Sequence, residues 1–395
     1  MSPAGKFRAA CYTIEGINSF AVTFYLNYVY FYFRDRFGFN DRQNLELAAL
    51  IGVVCIFAPL GAGKFANRFS YFLTLKIGFI IMAAGLAIGA HFNSLTMSTV
   101  ATCGVMAGTS CIWPVLETFV SRGPNPARSI GIYNLIWAAT NAIAFFIGGT
   151  LIEKFGYQSL FYLPLVLMIL QFFSIFWLQG IQPKMAPVAA VPDSSPSENR
   201  HRTAAQAKQF QRMAWLANPL AYLAINTLIA VLPGIAHKFD LSPMFAGFIC
   251  SLWCFVRGAA FIVLWQWTGW HYRFRWLVTA YVLMVISFIV ILVAPSLIVM
   301  LIAQLIFGAT IGLMYYSSLF YAMDAHDSSS EQGGIHEASI GIGNCLGPAT
   351  GAAALWLAPL NPTAGAWSVT ALLTLGLGGL CWLRKPAPPK THPKE

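Results

Sequence analysis

The run "GIHEASIGIGNCLGPATGA", Gly334 to Ala352, sets His336 beside Glu337 in an otherwise apolar, glycine-rich stretch. Such a pair could serve a zinc hydrolase or a proton relay. A zinc-binding helix needs His-Glu-x-x-His, so that two imidazoles meet on one face. Here the residues read "HEASI" and no second histidine follows. Neighbouring residues on a helix point about 100° apart, so the pair cannot converge on one small centre. Glu337, Gly341, Asn344 and Pro348 do share a face. Glu337 also lies near a helix N-terminus, where the dipole favours a carboxylate without any function; beside that reading it is a gate or proton-coupling candidate, with His336 at most its pH-sensitive neighbour.

Other side chains capable of chemistry are few. Glu15 and Asn18 in "YTIEGINSF" lie three apart and share a helix face, and Asn27 follows beside Tyr25 and Tyr28. Arg257, in "SLWCFVRGAAF", is the deepest full charge. Arginine stays protonated and grips carboxylate or phosphate in two places, so Arg257 suits an anionic solute or a standing ion pair with Glu15 or another acid. Asn226 with Thr227, and Tyr316 within "MYYSSLFY", add hydrogen-bonding surface, although such residues also serve helix packing. Glu117 follows Trp113-Pro114, where a kink is expected. Asp324, His326, Asp327 and Glu331 form an acidic stretch.

The elements that position these groups follow from composition. Of 395 residues, 57% are hydrophobic and 10% charged, with a mean hydropathy of +0.64. Soluble chains carry about 25% charged residues, so this one spans a membrane repeatedly. About 20 apolar residues cross a bilayer, and twelve such runs can be drawn. They are Cys11–Phe33, Leu45–Gly63, Tyr71–His91, Thr96–Ser121, Ser129–Leu151 and Ser159–Leu178 in the first half. In the second they are Met213–Ala236, Pro243–Trp267, Trp276–Ala294, Leu297–Met323, Gly333–Leu357 and Gly365–Leu383. The first run is too long for a signal peptide and lacks a small-residue cleavage site. A charge at the bilayer centre costs about 3 kcal/mol or more unless it faces a cavity or a partner. Each buried charge is therefore a functional candidate.

Between the halves, Pro, Ser and charged residues around "PKMAPVAAVPDSSPSENRHR" read as a flexible linker. The expected organisation is a six-helix bundle over 1–180, a linker over 181–212, a second bundle over 213–385 and a tail over 386–395. With the N-terminus inside, only Arg34, Arg36, Arg42, Lys154 and Lys238 fall outside, while Lys76 and Arg257 lie within spans and Lys76 snorkels to the inner interface. That bias predicts cytoplasmic termini in a plasma (inner) membrane protein. It also accounts for the net charge of +10 without a nucleic-acid partner. The eight cysteines sit mostly singly in apolar runs. Cys250 and Cys254 lack a nearby histidine or acid to complete a zinc set, so neither metal nor other cofactor is expected.

Setting "GIYNLIWAATNAIAFFIGG" against the opening stretch pairs Gly131 with Gly334, Asn141 with Asn344, Gly148 with Gly351 and Asn134 with Glu337, all at an offset of 203. Arg36-Phe37 and Lys238-Phe239 echo each other at 202. Two parallel six-span repeats explain this.

At this point the chain resembles the major facilitator superfamily over essentially its whole length. "GKFANRF" is similar to that family's signature between spans two and three. Gly63 and Arg68 match, Asn67 stands where aspartate is usual, and "SYF" replaces the following glycine and basic pair. "GNCLGPATGA" resembles a glycine-proline motif of antiporters, transposed from span five to span eleven. The resemblance implies an all-α membrane protein, twelve transmembrane helices in two six-helix repeats around a central cavity, that moves a small polar or anionic solute by alternating access. It further implies a cavity-lining span one and a latch in which Glu117 meets Arg68. A proton or other ion could couple through Glu15 or Glu337. The remaining expectations are a solute sensor or scaffold without net transport, and a membrane-embedded enzyme. "GAGKFANR" lacks the spacing of an ATP-binding P-loop.

Overall fold

A computed structural model describes residues 2–122, 125–183, 204–324 and 330–384. Among these all regular structure is helical. The first half consists of α1 (Pro3–Phe37), α2 (Asp41–Arg68), α3 (Tyr71–His91), α4 (Leu95–Ser121), α5 (Pro126–Phe155) and α6 (Ser159–Gly180). The second consists of α7 (Ala204–Lys238), α8 (Pro243–Cys250), α9 (Leu252–Gln266), α10 (Phe274–Val293), α11 (Leu297–Asp324), α12 (Ser330–Leu357) and α13 (Ala364–Leu383).

Helices α8 and α9 form one span broken at Ser251, so the thirteen helices make twelve spans. Eleven of them are long and apolar enough to cross a bilayer. The twelfth, α1, is 35 residues long, its apolar character diluted by Glu15, Asn18 and Asn27. The narrow breaks expected at Asn93 and Pro295 are present. Helix α7 begins well before the expected Met213, taking up part of the expected linker; residues 184–203 of that linker lie outside the described residues, as do the tail, His326 and Asp327.

Local sequence explains the ends. Ser2, Ser70, Ser94 and Ser242 each accept a backbone N–H in the first turn of their helix. Asn40 and Gln43 form a reciprocal capping box on α2. Helix α4 continues through Pro114. Lys76 donates to Gln179 at 3.1 Å and lies over the Phe176 ring, as a snorkelling lysine should.

The duplication is visible in hydrogen bonds. In the first half Tyr133 of α5 donates to Glu15 of α1 at 2.7 Å, and Thr23 of α1 donates to Asn141 of α5. Advancing every residue by 203 gives His336 with Asn218 and Asn226 with Asn344. Both contacts exist, the first at 3.4 Å. Gly38 and Asp240, 202 apart, both adopt the left-handed backbone just beyond α1 and α7. Glycine does this freely, whereas aspartate is tolerated there by its short side chain.

The halves meet along two seams. At the first, α2 lies on α12: a methyl on Gly52 would stand 2.4 Å from the Cys345 amide, and one on Gly341 2.6 Å from Cys55 backbone. Only glycine permits this approach. At the second, α5 meets α8 and α9. A methyl on Gly149 would reach within 1.9 Å of the Pro243 carbonyl, and Glu153 accepts the Met244 N–H at 2.9 Å. These contacts close the face remote from both chain ends. Toward the face that carries the ends (the termini face) the second seam loosens. There a methyl on Gly258 would lie 3.9 Å from Ala138, and one on Gly131 3.7 Å from Trp265.

Candidate functional site

Between the halves lies a cavity walled by α1, α2, α4, α5, α7, α9, α11 and α12. Asn27, Asn226, Arg257, Glu337 and Asn344, all expected from the sequence, line it together with Glu117. Asn226 and Asn344 belong to the repeated frame: Asn226 donates to Asn344, whose own amide donates to Cys55 Sγ at 3.5 Å. Polar groups buried among helices are tolerated when paired in this way.

Arg257 is 4% exposed. Its guanidinium lies 4.4 Å from the Trp137 ring centre and 5.1 Å from that of Trp253. Indole faces attract a cation through their quadrupole, which holds the group where an unpartnered charge would otherwise be expelled. Neither Glu15 nor any other carboxylate pairs with it among the described residues, and its Nε has no hydrogen-bond partner there. The standing ion pair considered from sequence is therefore absent. Trp137 stacks on Tyr315 at 5.1 Å, Tyr315 on Phe261 at 5.6 Å, and Tyr315 donates to Asn134 Oδ1 at 3.0 Å.

Glu15 is fully buried behind the cavity wall. Ser19 and Tyr133 both donate to its carboxylate, and Tyr133 itself lines the cavity, so one hydroxyl separates Glu15 from the cavity. Glu117 and Glu337 face the cavity near enough to interact electrostatically with each other and with His336. The His336 ring meets Ser318 at 2.9 Å, Asn218 at 3.4 Å and the Glu337 carboxylate at 3.7 Å. The pair points in two directions, as the helix geometry required, yet remains in contact.

Several expectations need correction. Asn18 is buried but does not line the cavity, and its amide lacks a partner among the described residues. Tyr316 turns to a second cavity, and its neighbour Tyr315 faces the first. Arg68 is exposed at the end of α2 with its guanidinium over Phe69, so the pairing with Glu117 is not formed. Asn67 is likewise exposed and accepts from Tyr71 at 2.8 Å, while Gly63 is buried in α2. Sequence reasoning missed Thr23, Tyr133, Trp137, Trp253 and Tyr315. The repeat could have found two of them, since Thr23 and Tyr133 sit opposite Asn226 and His336.

Comparison with known proteins decides the family. The Major Facilitator Superfamily model matches residues 9–348. The chain belongs to the Major Facilitator Superfamily. It is a multi-pass membrane protein and a secondary transporter of a small solute, not an enzyme. No curated protein matches it by sequence. Among solved structures it is similar to an auto-inhibited peptide transporter of the POT family (14% identity, TM-score 0.72, covering 98% of this chain and 99% of that one). A mutant of the nucleoside transporter NupG is similar at 12% identity and TM-score 0.69, covering 96% and 100%. A bacterial homologue of the human lysosomal transporter Spinster, inward-facing and unoccupied, is similar at 12% identity and TM-score 0.65, covering 97% and 96%. At these identities the superfamily fold is what is shared.

Proposed function

We propose that this superfamily member carries a small polar organic anion by alternating access, coupled to a proton. Arg257 is the observation that supports this most. A guanidinium clamped between two indoles, open to the cavity and without a carboxylate partner among the described residues, is preorganised for a carboxylate or phosphate. Asn27, Asn226 and Asn344 supply hydrogen bonds around it.

Coupling is assigned to Glu15, reached through Tyr133, and to Glu337. Glu117 and His336 act with them as gating groups. The turn carrying Gly63, Asn67 and Arg68 latches to Glu117 only when the termini face closes. Asn18 and Tyr316 have no direct role in binding. The halves 1–180 and 213–385 rock about the cavity, joined by a cytoplasmic linker over 181–212 and followed by a cytoplasmic tail over 386–395. The Lys and Arg bias supports cytoplasmic termini in a plasma (inner) membrane.

A thermal-shift panel of carboxylates, phosphate esters, neutral nucleosides and organic cations on purified protein tests the anion reading, because a ligand of the folded state raises its apparent stability. Anions should stabilise the wild type and lose that effect in Arg257→Ala. Stabilisation by cations, or by anions regardless of Arg257, overturns it. Uptake into liposomes with and without an imposed pH gradient tests the coupling.

A further inference from the structure

A second cavity lies on the termini side between α5, α9 and α11. Asn134 belongs to the walls of both cavities. The Tyr315–Asn134 hydrogen bond, 3.0 Å long and joining α11 to α5, thus stands at the boundary, backed by the stack of Tyr315 on Trp137. The bond crosses the interface between the two halves.

The charges on the two sides differ. Glu117 and Glu337 line the central cavity, whereas the described walls of the second contain no aspartate or glutamate. They contain Arg128, which is exposed, and His271, whose ring stacks on Phe320 at 4.0 Å. Burial holds His271 down to a pKa of about 4. Arg128 is then the one full charge on that described wall near neutral pH, with Tyr316 the remaining titratable group. Among the described residues of this wall an anion meets Arg128 and no carboxylate. The loosened stretch of the second seam lies beside it, around Gly131, Trp265 and Gly258.

We infer that the second cavity is the vestibule through which the solute passes between the termini face and Arg257, that Arg128 makes it selective for anions, and that the Tyr315–Asn134 bond is its inner latch. This rests on the anion reading of the central site. The solute enters along the α5–α9 seam, and the α2–α12 seam stays shut.

The test replaces the native cysteines and places one in the central cavity as Ile229→Cys. Sealed vesicles with the termini face outward are then treated with an anionic thiol reagent, sulfonatoethyl methanethiosulfonate, or with its cationic trimethylammonium counterpart. Tyr315→Phe keeps the ring stack and removes the latch, and Asn134→Ala removes it from the other side. Each should raise the labelling rate about fivefold, as expected for one lost hydrogen bond. Arg128→Gln should lower the anionic-to-cationic rate ratio severalfold. Unchanged rates in both latch variants, or an unchanged ratio in Arg128→Gln, overturn the proposal. If the ratio responds to Arg128 while anions fail to stabilise the protein through Arg257, the vestibule stands and the central-site reading falls.

Discussion

The two halves build the same hydrogen-bonded frame and fill it differently. In the first, α1 and α5 hold a carboxylate against a phenol, Glu15 with Tyr133; in the second, α7 and α12 hold an amide against an imidazole, Asn218 with His336. The lower rungs, Thr23 with Asn141 and Asn226 with Asn344, remain close in character. Arg257 has no counterpart, because Val54 stands at the equivalent place, and Glu117 falls opposite Phe320. The duplicated scaffold is thus nearly symmetric while its charge is not. Positions where the repeat departs from itself are where solute and proton handling should reside.

That contrast can be broken most severely at Arg257. Arg257→Ala should reduce anion affinity by roughly 30-fold or more, the scale of removing one partner from a buried charged contact. Arg257→Lys should recover only part, since an ammonium cannot reproduce the planar fork. Thermal-shift titration would read both. Unaltered affinity in the alanine variant would move the asymmetry elsewhere.

The next largest effect should come at the paired rungs. Glu15→Gln should flatten the pH dependence of uptake while leaving counterflow, whereas Asn218→Ala should cost about 1 kcal/mol of stability and leave the pH profile in place. If both variants changed the profile alike, the halves would share the coupling. A smaller, structural contrast lies in the seams. Gly341→Ala forces a methyl into Cys55 backbone and should lower stability by about 1–3 kcal/mol. Gly258→Ala, whose added methyl would meet Ala138 at 3.9 Å in ordinary van der Waals contact, should be neutral or slightly stabilising through helix propensity. Melting temperatures compare them directly.

The smallest effect concerns His271. The folded protein keeps this ring neutral down to about pH 4, whereas an ordinary histidine takes up its proton near 6.5. Between those values the unfolded chain binds more protons, so stability should fall as pH falls through the window. His271→Phe should remove that part of the slope in pH-dependent melting, and an identical slope in the variant would show the ring to be solvated.

Much of this was legible without coordinates. Twelve apolar runs, one polar midpoint and a constant offset of 203 fix a duplicated helical membrane fold, because helices must satisfy their own backbone in lipid. Glu15, Arg257 and Glu337 stood out since charge is rare there. The aromatic partners did not, because a tyrosine or tryptophan in an apolar helix packs against lipid, core or cavity with the same sequence signature. Tyr315 and Tyr316 illustrate this: adjacent and chemically equal, they are told apart only by the rotation of α11. The Arg68–Glu117 pairing is a different case, since one conformation need not hold a contact proper to another.

The glycine contacts between α2 and α12 have one further consequence. A line of backbone against backbone, with no side chain between to yield, behaves like the spine of a book. Opening about a fixed spine leaves the bound edge still while the free edge travels far, so the two sides of the transporter should contribute unequally to its aperture. Labels placed across α2 and α12 should hold nearly constant separations through the cycle, and labels across α5 and α9 should register most of the swing.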